Sequence, residues 1–329
     1  TIPHGLESPH ALEYAAGVSR QFSNRIAVRS DFTYRDYRDF YSERIDTTTG
    51  TVRDSLGNPF DSAVIENTNA LMRRYAGLTT SVTYRVSGRT DIGANYTLSR
   101  LWGNFDAENA GSGPVPATAF AYPQYLQASW AYPIGDLSAD QRHRSAVWAN
   151  YGVPRLTGMT LSVLETMGSG LPYGAVGQID ARPYVNNPGY ITPQGAATEN
   201  YYFTARDAFR TAATFRTDFA ANYNYSVHGG SRRLDLFIQA QTINLFNQSQ
   251  LCGCGGSSVF VNGGSVALSS IGQSVLTNST TAGLTPFNPF TTAPVQGVNW
   301  NLGPNFGTAV TRTAYTSPRT FRLSFGLRF

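Results

Sequence analysis

The chain has no lysine: all 25 of its basic residues are arginine. Charge of either sign is scarce. Charged residues make up 14% of the 329 positions, against about a quarter in a typical soluble domain. The net charge of +4 is spread along the chain with no basic run, so nucleic acid is not an expected partner. No apolar stretch reaches the roughly 18 residues of a transmembrane helix. Cysteine is confined to Cys252 and Cys254, in LCGCGGSS, and His4, His10, His143 and His228 are scattered. Four ligands do not assemble from such a set, so no metal and no cofactor is expected. The two thiols fit either a local disulfide or a glycine-rich loop. No HExxH, GxSxG or Walker pattern occurs, and no catalytic residue is assigned. Asp106 and Glu108 have incomplete spacing for calcium and read as a solvated loop.

What the sequence does hold is aromatic residues (13%), 32 glycines and period-two alternation almost throughout. Alternation places successive side chains on opposite faces of a strand. The last residues show it best. Phe321, Leu323, Phe325, Leu327 and Phe329 share one face, and Arg322, Ser324, Gly326 and Arg328 share the other. Eight earlier segments behave similarly: about 11–22, 25–45, 71–87, 91–99, 142–153, 159–168, 215–227 and 233–241. In the eighth the phase slips near Thr242, which a bulge or the strand's end would explain.

The connections carry more information than any one strand. SNR, SGR, PRLTG and HGGSR are short, and the four connections between them run to tens of residues. Long loops are uncommon in compact domains. Four of them on one end of a meander match an outer-membrane barrel with tight periplasmic turns and long extracellular loops. The expected fold is an all-β, antiparallel up-and-down transmembrane barrel, here incomplete at about nine strands. Its apolar face meets outer-membrane lipid, and its last strand ends in the periplasm.

Several stretches then resemble a known family. FGTAVTRTAYTSPRTFRLSFGLRF is similar to the C-terminal signature of TonB-dependent outer-membrane receptors, through Phe306-Gly307, Pro318-Arg319 and the alternation up to Phe329. More narrowly it resembles the Oar-like group, which carries an N-terminal carboxypeptidase-regulatory-like domain. LFIQAQTINLFNQ resembles the family's penultimate strand with its Asn-Leu-Phe-Asn segment, Asn244 to Asn247. TFRTDFAANYNYSV, the loop opening from Ser169 to Tyr173, and EYAAGVSRQFSNRIAVRSDFTYRDYRDFY match in the same order.

The resemblance implies a barrel of about 22 strands filled by a plug. Residues 1–329 would form its C-terminal part, without plug, TonB box or N-terminal domain. It implies energised uptake of a scarce, unknown small ligand by a non-covalent mechanism, so not an enzyme. The TonB complex would act through the N-terminal parts. It also implies that the barrel assembly machinery reads Phe321, Leu323, Phe325, Leu327 and Phe329 as its signal. Ligand contact is expected from loop aromatics: Tyr122, Tyr125, Trp130, Tyr201 and Tyr202. The same rings would otherwise pack the loops on one another. The alternatives are a passive or structural barrel, a rim hydrolase, and a soluble β-sandwich adhesin.

Overall fold

The computed structural model describes residues 5–49, 51–106, 121–186, 198–229, 232–251, 266–267, 284–302, 306–309 and 314–328. Nine strands build one wall: β1 (His10–Ser23), β2 (Ile26–Arg38), β3 (Arg73–Ser87), β4 (Thr90–Gly103), β5 (His143–Gly152), β6 (Met159–Gly168), β7 (Thr214–Gly229), β8 (Arg232–Ile243) and β9 (Thr320–Arg328). Each pairs antiparallel with its neighbour in chain order. The wall is not closed. Among the described residues, β1 and β9 each leave one edge unpaired. Short turns at 24–25, 88–89 and 153–158 join strands at one end, where β7 also ends and β8 begins. The connections 39–72, 104–142, 169–213 and 244–319 all leave from the other end.

The registers put the alternating faces in line. Ile26, Tyr84, Ile92, Ala149, Val163, Phe219, Thr242 and Phe321 form one cross-strand row. The large apolar side chains of this face are exposed, reaching 57–81% for Phe321, Leu323, Phe325 and Leu327. Phe329 lies outside the described residues. Among described residues the buried hydrophobic side chains lie in the long connections, except Leu101 near the outer end of β4. Apolar surface turned outward over a whole sheet needs lipid against it. The chain is therefore part of the wall of an outer-membrane β-barrel.

Three local departures from the sequence reading have simple causes. The second strand does not run to Ile45. Asp39 takes a positive φ of 57° and ends β2, and Phe40–Ile45 then pairs with Ala63–Thr68 in a separate hairpin. Second, the long connections are not bare loops. Thr51–Arg53 pairs with Pro59–Asp61, and Val176–Asp180 with Thr198–Tyr202. Third, the slip near Thr242 is the end of β8, because Asn244 turns to φ 55°.

On the inner face, Trp148 and Phe237 each lie over a glycine of the neighbouring strand. Trp148 pairs with Gly93, where an added Cβ would come within 2.1 Å of Trp148 Cζ2. Phe237 pairs with Gly326, where a Cβ would lie 2.6 Å from its ring. The bare backbone lets each ring lie flat on the neighbouring strand. Gly93→Ala is expected to cost about 1–3 kcal/mol through overpacking. Adding Trp148→Ala should recover most of that loss, as read from urea unfolding midpoints in lipid vesicles.

Candidate functional site

The described parts of the four long connections pack together at the outer end of the wall. Tyr125, Leu126 and Trp130 come from the second. Ala175, Ile179 and Ala181 come from the third, and Phe287 and Trp300 from the fourth. Ile45 joins them from the first, and its amide donates to the Ala121 carbonyl at 2.9 Å. The rings meet edge to face or tilted: Trp130 with Phe290 at 5.0 Å, Tyr201 with Phe203 at 4.9 Å, and Phe203 with Trp300 at 5.2 Å. In a second group Tyr173 stacks on Phe209, and Phe306 meets the first tilted and the second edge to face. Such pairs add about 0.5–1.5 kcal/mol each beyond area burial.

This placement divides the expected ligand contacts. Tyr125 is 2% and Trp130 6% exposed, so both pack inside the loop body. Tyr122, Tyr201 and Tyr202 are only partly buried. Burial pushes the phenols of all three up, so they offer neutral hydroxyls and ring faces at physiological pH. Cys252, Cys254 and Glu108 lie outside the described residues. Asp106 is not a solvated loop carboxylate: it holds Arg206 at 2.6 Å.

Beneath the aromatic body sits an ionic network that the sequence did not reveal. Asp136 receives Arg100, Arg142 and Arg210 at 2.8, 2.7 and 2.6 Å. Asp140, 1% exposed, receives Arg210 at 2.7 Å and the Leu101 amide at 2.7 Å. The Asp136 amide in turn donates to Asp207 at 2.9 Å. Arg142, at the start of β5, is thus tied into the network. His143 instead faces Tyr96, with Nδ1 2.7 Å from its hydroxyl. The network stitches the second and third connections to the top of β4. Guanidinium forks suit this role because one group can bind two carboxylates at once.

Burial alone would raise the Asp136 carboxyl. The hydrogen bond from Arg100, the charges of Arg142 and Arg100 and the hydrogen bond from Arg210 outweigh it and hold the group below the usual carboxylate range. A folded value below the unfolded one gives stability that is complete at neutral pH. That stability is lost as the pH falls below about 4. Amide exchange across 135–140, corrected for its intrinsic pH dependence, is expected to stay slow at neutral pH. It should accelerate only in that acidic window.

No protein-family profile and no curated protein sequence matches the chain. Among solved structures it is similar to the outer membrane transporter YddB from Escherichia coli, at 12% identity and a TM-score of 0.45 over 76% of this chain and 30% of that one. It is also similar to the FrpB iron transporter from Neisseria meningitidis, at 12% identity and a TM-score of 0.40, over 76% of this chain and 29% of the other. The ferripyoverdine receptor of the outer membrane of Pseudomonas aeruginosa gives 10% identity and a TM-score of 0.39, over 74% of this chain and 24% of its own. The chain thus spans under a third of the length of each structure.

Proposed function

We propose that this chain is the C-terminal wall and outer mouth of a TonB-dependent outer-membrane receptor of the Oar-like group. Its role would be energised uptake of a scarce small ligand. The observation that carries this reading is that all four long connections leave one end of an open wall and fold into a shared aromatic body over it. A barrel wall needs no such body to span lipid, whereas capture of a ligand at the outer face does. The two free edges call for further strands, since unpaired backbone is not tolerated in lipid. About thirteen more would complete a barrel of about 22 with room for a plug.

The chemistry proposed is binding and release, with no covalent step. Tyr122, Tyr201 and Tyr202 supply ring faces and hydroxyls at the mouth. The partners proposed are outer-membrane lipid, the assembly machinery acting on the β9 face, and TonB acting through a plug. The test is the gene upstream of the Thr1 codon, followed by crosslinking of its full product to TonB. A plug, a TonB box and about thirteen more strands, with a TonB crosslink, are expected. A full product with neither plug nor crosslink would move the passive-barrel reading to the front.

A further inference from the structure

On the inner face Arg29 pairs with Asp31 at 2.7 Å and Arg35 with Glu13 of the neighbouring strand. Arg144, on the same face, makes no ion pair with any described residue. It lines a cavity of about 430 Å³ between β4, β5, β6, β7 and the segment leading into β9. The registers align Thr97, Arg144, Gly168 and Thr214 in one row, and Asn95, Ala146, Thr166 and Arg216 in the next.

The lining contains two arginines, Arg144 and Arg216, and no carboxylate. One arm of Arg216 is held by Asp218 at 3.0 Å; its Nε is buried without a hydrogen-bond partner. Most nearby hydroxyls are already spent on the wall itself. Thr166 donates to the Arg216 carbonyl, Thr214 to the Gly168 carbonyl and Thr316 to the Gln248 carbonyl. What remains to face a guest is the Arg144 guanidinium, the Asn95 amide and the cationic field of Arg216.

We infer that this cavity is a subsite for a small anion bearing carboxylate or phosphate oxygens, gripped by Arg144 and Asn95 beside Arg216. A guanidinium offers such oxygens a matched fork of donors. No carboxylate in the lining competes with the guest for these donors. The volume is in the range of small-molecule sites. The inference rests on the receptor reading, for which it names the charge class of the cargo.

The experiment is calorimetry on the full gene product in detergent micelles at low ionic strength. The probes are citrate and inorganic phosphate, with glycerol as a neutral control. Binding of citrate, phosphate or both is expected, with none for glycerol. Arg144→Gln should weaken it at least tenfold and Asn95→Asp should abolish it. Arg35→Gln, on the same face but outside the cavity, should leave it unchanged. Heat-modifiable gel mobility shows that each variant is folded. Absence of binding by either anion, or equal binding by wild type and Arg144→Gln, overturns the inference. A TonB crosslink without anion binding removes the subsite alone. Anion binding without a TonB crosslink removes the receptor reading and leaves an anion-selective pore.

Discussion

Leu323→Arg is expected to abolish membrane assembly, while Asn222→Arg is tolerated. Leu323 is 71% exposed on β9 and pairs with Ala240, which pairs with Ala221. Its neighbours along the strand on the same face, Phe321 and Phe325, are equally bare. An arginine there must place its charge in hydrocarbon, at about 2–4 kcal/mol near midplane. The same substitution would interrupt the apolar row proposed as the assembly signal, so kinetics and thermodynamics act in one direction. Phe219→Arg, in the adjoining row, should fail in the same way. Asn222 faces inward opposite Gln239, where an added cation meets water and amides. Heat-modifiable mobility of the membrane fraction reads the outcome. Equal fates for the three variants would remove the assignment of the lipid face.

Asn244→Ala should be the most damaging single change away from lipid. Asn244 is fully buried and lies where β8 ends. Its amide donates to Asp218 Oδ1 at 2.9 Å. Its side-chain nitrogen donates to the carbonyls of Gln248 and Ser317, each at 2.8 Å. Its side-chain oxygen accepts from the Gln248 amide at 2.7 Å. Alanine would take a partner from the Ser317 carbonyl and from the Gln248 amide, while the Gln248 carbonyl keeps its bond from Thr316. Each lost partner costs about 1–3 kcal/mol, so the total is expected near about 2–4 kcal/mol. The Ser317 bond fixes the chain three residues before β9 begins, so the variant should also loosen the register of the last strand. Asn247→Ala is the internal comparison. It removes a cap on the Arg319 amide at 2.9 Å in an exposed place and, like Asn244→Ala, puts alanine at a positive φ, so it should cost about 1–2 kcal/mol. Unfolding midpoints in lipid vesicles measure both. A loss below about 1 kcal/mol for Asn244→Ala would show that the clamp is dispensable.

The wall was legible in the sequence because a two-sided strand writes its environment into every second residue. Ile92, Ala94, Tyr96 and Leu98 against Asp91, Gly93, Asn95 and Thr97 admit one orientation once lipid is the outside. The loops carry no such period. Tyr125 and Tyr202 are the same residue type in similar stretches, yet one is sealed in the loop body and the other is partly open. Only the meeting of four distant segments decides which. The ionic network was hidden for the same reason: Arg100, Asp136 and Arg210 converge across more than a hundred residues. Asp39 hid the first hairpin, since one left-handed residue redirects a strand whose alternation is otherwise intact. The Asn244 segment was visible as a resemblance, but its hydrogen bonds to the last connection were not.

The rings over Gly93 and Gly326 bear on the relief of the inner wall. An indole or phenyl group standing upright on the inner face would narrow the passage and offer a sticky ledge. Laid on bare backbone, Trp148 and Phe237 instead become part of the floor. At these two places the inner relief is as low as the backbone allows. A glycine with no conformational duty thereby sets how far a neighbouring strand's ring stands off the wall.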